Sequence, residues 1–147
     1  MLKKYIAELG RYEESRMFDN YVFSENTCKN VLNKDGKVNG FEMKTLITYY
    51  RGVPLSMVHD VKVEVDGVEV PRESIKFSPN GEDYFTLDEM ETVTTYKWEY
   101  GVEATVFVER EGGLSKGEHD VKLTTIMRVA YIPVPFEGVR SRKVVIE

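Results

Sequence analysis

The sequence is poor in the residues that build metal and redox sites. It has one cysteine, Cys28, and two histidines, His59 and His119, sixty positions apart. One cysteine cannot form an internal disulfide, and neither histidine has a cysteine or carboxylate partner at the spacing of a zinc site. We therefore expect no metal and no cofactor in this chain, a small buried hydrophobe at Cys28, and a structural role at a strand start for His119.

Long apolar runs and an excess of basic residues are also absent. No run approaches the ~20 residues of a membrane span. Residues 1–16 contain two lysines but no continuous apolar segment and no small-residue cleavage site, so they do not predict a signal peptide. The formal net charge of −5 argues against a nucleic-acid partner. We expect a cytoplasmic protein that binds neither membrane nor nucleic acid.

The composition that remains is typical of a globular domain. Of 147 residues, 41% are hydrophobic and 31% are charged, and a chain of this length buries roughly 68–70% of its unfolded surface. At the N-terminus, Leu2, Ile6 and Leu9 recur at helical spacing before Gly10 interrupts the pattern. We expect residues 1–16 to form an N-terminal extension, either a short helix or a loosely held arm, and residues 17–147 to form a single domain.

From Tyr21 onward, the pattern changes to the two-residue period of β-strands. Every second residue from 41 to 49 would share one face of a strand, and Val61, Val63 and Val65 alternate with charged residues in the same way. Asp66-Gly67 then supplies a tight hairpin turn. Further strands are predicted at 92–98, 104–110, 121–132 and, as an edge strand, 142–146. Nine or so short strands with Gly, Asn, Asp and Pro turns indicate an all-β fold, an antiparallel β-sandwich of immunoglobulin-like or jelly-roll-like type.

An acidic cluster lies in TLDEMET, where Asp88, Glu89 and Glu91 are close in sequence. Three carboxylates could offer oxygens to a hard cation. The alternative, which we favour, is a single helical turn in which Thr86 or Asp88 caps the start and Glu89 or Glu91 completes a capping box.

An aromatic stripe is formed by Tyr96, Trp98 and Tyr100, which a strand would place on one face. Such a stripe could stack on a sugar or flavonoid ring. It is also typical of half a sandwich core, and we favour that interpretation.

The least strand-like segment is YYRGVPLSMVHD, residues 49–60, here called the connection. Its tyrosines, arginine and methionine are types enriched at interfaces, and loops on rigid sandwiches often carry binding. Its apolar residues also suit a segment that plugs the core. Ser56 lacks the glycine frame of a nucleophile elbow, so we predict no catalytic residue here. The candidate interface residues are Tyr49, Tyr50, Arg51, Pro54, Leu55, Ser56, Met57 and His59.

Three stretches together resemble one protein family. They are FEMKTLITYYRGVPLSMVHDVKVEVDGVEVPRESIKF, YFTLDEMETVTTYKWEYGVEATVFV and GGLSKGEHDVKL, and the resemblance covers the chain from about Met17 to its end. The family is that of the small β-subunits of C-glycoside deglycosidases, known especially from gut bacteria. YYRGVPLSM, VDGVEVPRE and TLDEMETV are its most specific parts.

The resemblance implies a function for this chain as one part of a lyase complex. In that family, a larger α-subunit is a metal-dependent barrel similar to sugar isomerases, and its divalent metal is commonly manganese. The complex cleaves the carbon–carbon bond between a flavonoid aglycone and a 3-oxo sugar by elimination. The resemblance therefore implies that the metal ligands and the base belong to the α-subunit, and that this chain alone is inactive.

On that basis the connection is expected to face the α-subunit near the mouth of its active site. Two alternatives remain open. One is a stand-alone β-sandwich that binds a sugar or flavonoid through Tyr96, Trp98 and Tyr100. The other is an assembly protein that keeps the interface without any link to catalysis.

Overall fold

A computed structural model of the chain describes residues 21–47, 53–94, 96–99, 101–127 and 136–147. Within these ranges, no helix is long and apolar enough to cross a membrane. A short helix, α1 (Leu87–Met90), and 3₁₀ turns at Leu55–Met57 and Arg72–Ser74 accompany the strands. The strands are β1 (Lys29–Leu32), β2 (Val38–Thr45), β3 (Val53–Pro54), β4 (Val58–Val65), β5 (Val68–Glu69), β6 (Ile75–Ser78), β7 (Phe85–Thr86), β8 (Lys97–Trp98), β9 (Ala104–Glu109), β10 (Gly117–Met127) and β11 (Phe136–Ile146).

The strands form two main sheets and a small accessory sheet. The first has the order β1-β2-β9-β6-β7, the second has the order β11-β10-β4-β5, and β3 pairs with β8. All these pairs are antiparallel. Buried side chains from both main sheets join in a single hydrophobic core. The predicted all-β antiparallel sandwich is confirmed.

The core follows from the alternation in the sequence. On β2, Phe41 and Met43 are fully buried while Glu42 between them stays partly exposed. On β4, Val61, Val63 and Val65 are buried, and Lys62 is exposed. Successive side chains of a strand point to opposite faces, so the inner faces of the two sheets form one apolar layer. The faces predicted for these two strands are confirmed at residues 41–45 and 61–65. The first strand ends at Thr45, before the predicted end at Tyr49, which lies outside the described residues.

The hairpin turn predicted at Asp66-Gly67 is also confirmed. Asp66 has φ 51° and Gly67 has φ 84°, the two positive values of a type I′ turn, whose twist matches that of the flanking strands. The turn pairs Val65 with Val68 and Glu64 with Glu69.

A cluster around His119 fixes this turn to the start of β10. The Nδ1 of His119 lies 2.8 Å from Asp66 Oδ2, and its Nε2 lies 2.8 Å from the Ser115 carbonyl oxygen. The backbone N–H of Asp120 donates to Asp66 Oδ1 at 2.8 Å, and the N–H of Asp66 donates to the Asp120 carbonyl at 2.8 Å. We call these four residues the His119 clasp. Only an imidazolium donates from both ring nitrogens, so the clasp favours the charged histidine.

Three strand predictions need correction. The strand expected at 92–98 is limited to Lys97–Trp98, because Thr92 and Val93 donate back to the carbonyls of Glu89 and Met90 and extend the turn of α1. The strand expected at 121–132 begins earlier, at Gly117. The edge strand expected at 142–146 begins at Phe136, since β11 pairs with β10 along its whole length. Residues 1–16, 128–132, Pro133 and Pro135 lie outside the described ranges.

We expect Gly67→Val to lower the free energy of unfolding by about 1 kcal/mol or more, because β-branched residues resist a positive φ. A Cβ at this position would meet no atom within 4 Å, so the cost is one of backbone strain and not of a clash. Gly67→Asn is the matched control, since asparagine tolerates the left-handed region. Urea unfolding measures both variants, and equal midpoints for Val and Asn would contradict the type I′ turn.

The His119 clasp predicts a pH dependence of stability. The hydrogen bond to Asp66, and to a lesser degree the one to the Ser115 carbonyl, raises the pKa of His119. The contribution of His119 to folding stability is therefore complete below its unfolded pKa of about 6.5, and it is lost as the pH rises through the folded pKa. The hydrogen bond from His119, and to a lesser degree the one from the Asp120 N–H, lowers the pKa of Asp66. That contribution is present above about pH 4 and is lost as the pH falls through the folded pKa.

We therefore expect the stability difference between the wild type and His119→Gln to be larger at pH 5.5 than at pH 8.5. Urea midpoints of both proteins at the two pH values measure this difference. Asp66→Asn, which tolerates the same backbone conformation, should show the same trend. A difference that does not change with pH for either variant would show that the charged pair does not contribute to folding.

Candidate functional site

The connection leads from β2 to β4 at one end of the sandwich. Its described part enters as β3, makes the 3₁₀ turn Leu55–Met57, and continues directly into β4. The turn is closed by the N–H of Val58, which donates to the carbonyl of Leu55. Tyr49, Tyr50 and Arg51 lie outside the described residues.

Backbone hydrogen bonds hold the connection against the segment that precedes and includes β8. Val53 pairs with Trp98, and Pro54 pairs with Lys97. The N–H of Leu55 donates to the Tyr96 carbonyl at 3.0 Å, and the N–H of Ser56 donates to the Val93 carbonyl at 2.9 Å. Each of these bonds satisfies a main-chain group that would be costly to bury unpaired. The described part of the connection is therefore a fixed structural element.

The side chains of the connection separate into an inner and an outer set. Leu55 is fully buried in the core, and Met57 packs against the core while staying partly exposed. Pro54 and Ser56 are half-buried, and His59 is exposed. The core-plug interpretation thus holds for Leu55, which corrects its place among the candidate contact residues. The outer set of Pro54, Ser56, Met57 and His59 remains the candidate interface.

The aromatic stripe is not a common binding face. Trp98 is fully buried, packs edge-on against Phe77 with ring centroids 5.2 Å apart, and donates from Nε1 to the Val102 carbonyl at 3.2 Å. Tyr96 is 39% exposed and tilts against Phe85 at 5.2 Å. Tyr100 lies outside the described residues. Trp98 is a core residue, as the favoured interpretation predicted, so it does not offer its ring to a ligand. Tyr96 lies just before the short strand that contains Trp98.

The acidic cluster forms the predicted helical turn. Thr86 Oγ1 accepts from the Glu89 N–H at 3.2 Å, and Glu89 Oε1 accepts from the Thr86 N–H at 2.8 Å, which is a complete capping box. The bond from the Thr86 N–H is the main reason that the pKa of Glu89 is lowered. Among the described residues, no three His, Cys, Asp or Glu side chains gather as metal ligands.

A network that the sequence did not reveal ties the connection to α1. The guanidinium of Arg72 binds the carboxylate of Asp60 and lies 3.3 Å from the carboxylate of Asp88. Asp60 also accepts from the N–H of Val61 at 2.9 Å. These residues are far apart in sequence, and only the fold brings them together, so no spacing could have predicted the contact. The network fixes the start of β4 next to the outer set.

Cys28 has the properties of a packing residue. Burial, and then the charge of Glu42, raise the pKa of its thiol to about 12. The group is therefore a neutral thiol at physiological pH, and thiols without thiolate character are poor nucleophiles.

A groove of about 550 Å³ lies at the other end of the sandwich. Its walls are the hairpin between β4 and β5 and the end of β9, with Val65, Val68, Val70 and Val108 among the apolar lining residues and Glu69 and Arg110 among the charged ones. The connection lies at the start of β4, whereas this groove lies at its end. The predicted site residues that the structure describes do not line this groove.

Comparisons with known proteins all match the chain to one family. The profile of the family described as C-glycoside deglycosidase beta subunit matches residues 18–131. The chain is 34% identical over 105 residues to the C-glycoside deglycosidase beta subunit of Eubacterium cellulosolvens, covering 71% of each chain. It is 31% identical over 114 residues to the protein of the same name from Arthrobacter globiformis, covering 73% of this chain and 86% of the relative.

A third relative carries a more specific name. The chain is 31% identical over 98 residues to the 3'-dehydrocarminate deglycosidase beta subunit of a Microbacterium species, covering 65% of this chain and 71% of the relative. That name assigns deglycosidase action on 3'-dehydrocarminate to the relative's enzyme. The matched region includes both the connection and the hairpin groove.

The burial of Leu55 predicts that Leu55→Ala lowers the free energy of unfolding by about 2–5 kcal/mol, because the truncation leaves a cavity in the core. Ser56→Ala, one position further along the same turn, is the matched control and should change stability by less than about 0.5 kcal/mol. Thermal or urea unfolding of the isolated chain measures both. Equal stability of the two variants would show that the connection does not close the core.

Proposed function

Because the chain belongs to the family of C-glycoside deglycosidase beta subunits, we propose that it is the β-subunit of a heteromeric C-glycoside deglycosidase. The family match across residues 18–131 is the observation that carries this proposal. The relatives are named as subunits, which implies a second kind of chain in the enzyme. We propose that this second chain is a sugar-isomerase-like barrel and that the complex is cytoplasmic.

The proposed reaction cleaves the carbon–carbon bond between an aromatic aglycone, such as a flavonoid, and a 3-oxo sugar. The oxo group acidifies the hydrogen on the sugar carbon between the carbonyl and the carbon that carries the aglycone. When a base removes this proton, the electron pair forms a carbon–carbon double bond, and the bond to the aglycone breaks. The aglycone leaves with the electron pair of the broken carbon–carbon bond and is protonated. We assign the base and the divalent metal, expected to be manganese, to the α-subunit.

The role of this chain would be to present a prearranged surface to the α-subunit. Leu55 anchors the connection in the core, while four backbone pairings hold it against the segment around β8. The outer set of Pro54, Ser56, Met57 and His59 is therefore positioned before binding, which reduces the ordering cost of association. Tyr49, Tyr50 and Arg51, the preceding residues of the connection, belong to the same proposed contact. A surface next to the active-site mouth would help to exclude water during the elimination.

The stand-alone binding module finds less support. Its proposed stacking face depends on Trp98, which is fully buried. Of the two described residues of the stripe, Tyr96 offers one partly exposed ring, whereas sugar or flavonoid binding by stacking usually needs a broader platform. The experiment below distinguishes a stand-alone module from a β-subunit.

The experiment compares this chain, the α-subunit and their mixture in cleavage of a 3-oxo-C-glycoside. We expect the two chains to co-elute, turnover by the mixture with a divalent metal present, and no turnover by this chain alone. Turnover by this chain alone would contradict the assignment of the chemistry to the partner. Failure to co-elute, together with direct binding of the glycoside, would favour the stand-alone module, and an inactive complex would favour the assembly protein.

The variant Ser56→Arg tests whether the connection forms the contact with the α-subunit. We expect this variant to keep the melting temperature of the isolated chain and to bind the α-subunit at least about tenfold more weakly, because a bulky charge then enters a packed contact. Val68→Arg introduces the same side chain at the far hairpin, where Val68 is 69% exposed, and should bind normally. Equal affinities of the two variants would place the interface elsewhere.

A further inference from the structure

The strand β11 carries two arginines on its inward-facing side. In the antiparallel register, Arg140 pairs with Leu123 and Arg142 pairs with Val121. Leu123 and Val121 are fully buried, and residues directly opposite each other share a face of the sheet. Because β11 is the outermost strand of its sheet, the two arginines lie at the flank of the sandwich, where the layer between the sheets ends.

Arg142 has partners at this flank. Its Nε donates to the Phe23 carbonyl at 2.5 Å, its Nη1 lies 3.4 Å from the Glu25 carboxylate, and its guanidinium lies 5.9 Å from the centre of the Phe23 ring. Burial is the main reason that the pKa of Arg142 is lowered, and the nearby charge of Arg140 lowers it further. The two cations are therefore close enough to repel each other, and the carboxylate of Glu25 acts against this repulsion.

Arg140 differs from Arg142 at its Nε, for which the described residues offer no acceptor. Its Nε is buried and makes no hydrogen bond, and no ion pair of Arg140 occurs within the described parts of the chain. A donor on a charged group that is removed from water without an acceptor is unfavourable. A carboxylate placed at this flank would supply the acceptor and reduce the repulsion between the two arginines. A guanidinium also has the fork geometry that binds a carboxylate through two parallel hydrogen bonds.

The flank is continuous with the end of the sandwich that carries the connection. Val58, where β4 begins, pairs with Met127, which pairs with Phe136, where β11 begins. Arg140 follows Phe136 by four residues, or roughly 14 Å along a strand. A partner of ordinary size that covers the outer set of the connection can reach Arg140 without covering the rest of the sheet, since standard interfaces bury ~800 Å² on each side.

We propose that Arg140 is an interface residue that receives a carboxylate side chain of the α-subunit when the complex forms. This inference rests on the proposed function and adds to it a second contact, on the inward side of β11. The occupant is an Asp or Glu of the partner, because the chemistry that is missing at Arg140 is that of a planar anion.

The test is the affinity of the α-subunit for Arg140→Gln, compared with Lys143→Gln. Lys143 lies on the same strand but is exposed and lies 3.3 Å from Glu118, so its variant loses the same charge on the opposite side. We expect Arg140→Gln to bind at least about tenfold more weakly, and Lys143→Gln to bind as the wild type does. The melting temperature of the isolated Arg140→Gln chain should equal or exceed that of the wild type, because a repulsion is removed.

Salt titration supplies a second readout. Binding of the wild type should weaken with increasing salt more steeply than binding of Arg140→Gln, because the variant lacks one ion pair across the interface. Arg140→Lys keeps the charge but loses the fork, so it should bind with intermediate affinity, and it replaces the glutamine variant if that variant does not fold.

The failures of the two proposals are distinguishable. If the wild-type chain does not bind the α-subunit, the proposed function is wrong. If the wild type binds and Arg140→Gln binds equally well with the same salt dependence, the proposed function stands and the role of Arg140 is overturned. A loss of affinity that Lys143→Gln reproduces would also overturn it, because the effect would then reflect net charge alone.

Discussion

Burial of one face of β4 is the constraint on which the rest of the structure depends. Val61, Val63 and Val65 point into the core, and a slip of one residue would bring Lys62 and Glu64 inside instead. With this register set, β10 pairs on one side of β4 and β5 on the other. The same register determines that the connection ends in the core at the start of β4. It also determines that the hairpin turn begins at the end of β4.

The connection turns this constraint into a surface suited to binding. A loop with an exposed polar sequence would have to be ordered by its partner, at an entropic cost. Here Leu55 is buried and its neighbours are bonded to the strand around Trp98, so the outward residues inherit the rigidity of the core. The salt bridges of Arg72 extend this support to α1. A subunit whose task is to complement another chain benefits from such an arrangement.

Sequence patterns predicted the features that depend on local chemistry. The alternation on β2 and β4, the turn at Asp66-Gly67 and the capping box of Thr86 and Glu89 are all encoded within a few residues. Patterns failed where distant contacts decide the outcome. The periodicity around Trp98 could not distinguish a buried ring from an exposed one. Nothing in the sequence predicted that Arg72 lies beside Asp60, or that the Nε of Arg140 finds no acceptor among the described residues.

The central claim is that this chain acts by presenting one end of its sandwich to an α-subunit, and hydrogen–deuterium exchange with and without that subunit tests it most directly. The account predicts added protection in residues 53–59 and at the start of β11, with unchanged exchange in the hairpin at 65–71 at the far end. Protection confined to that hairpin, or to the outer face of β4 and β10, would contradict the account.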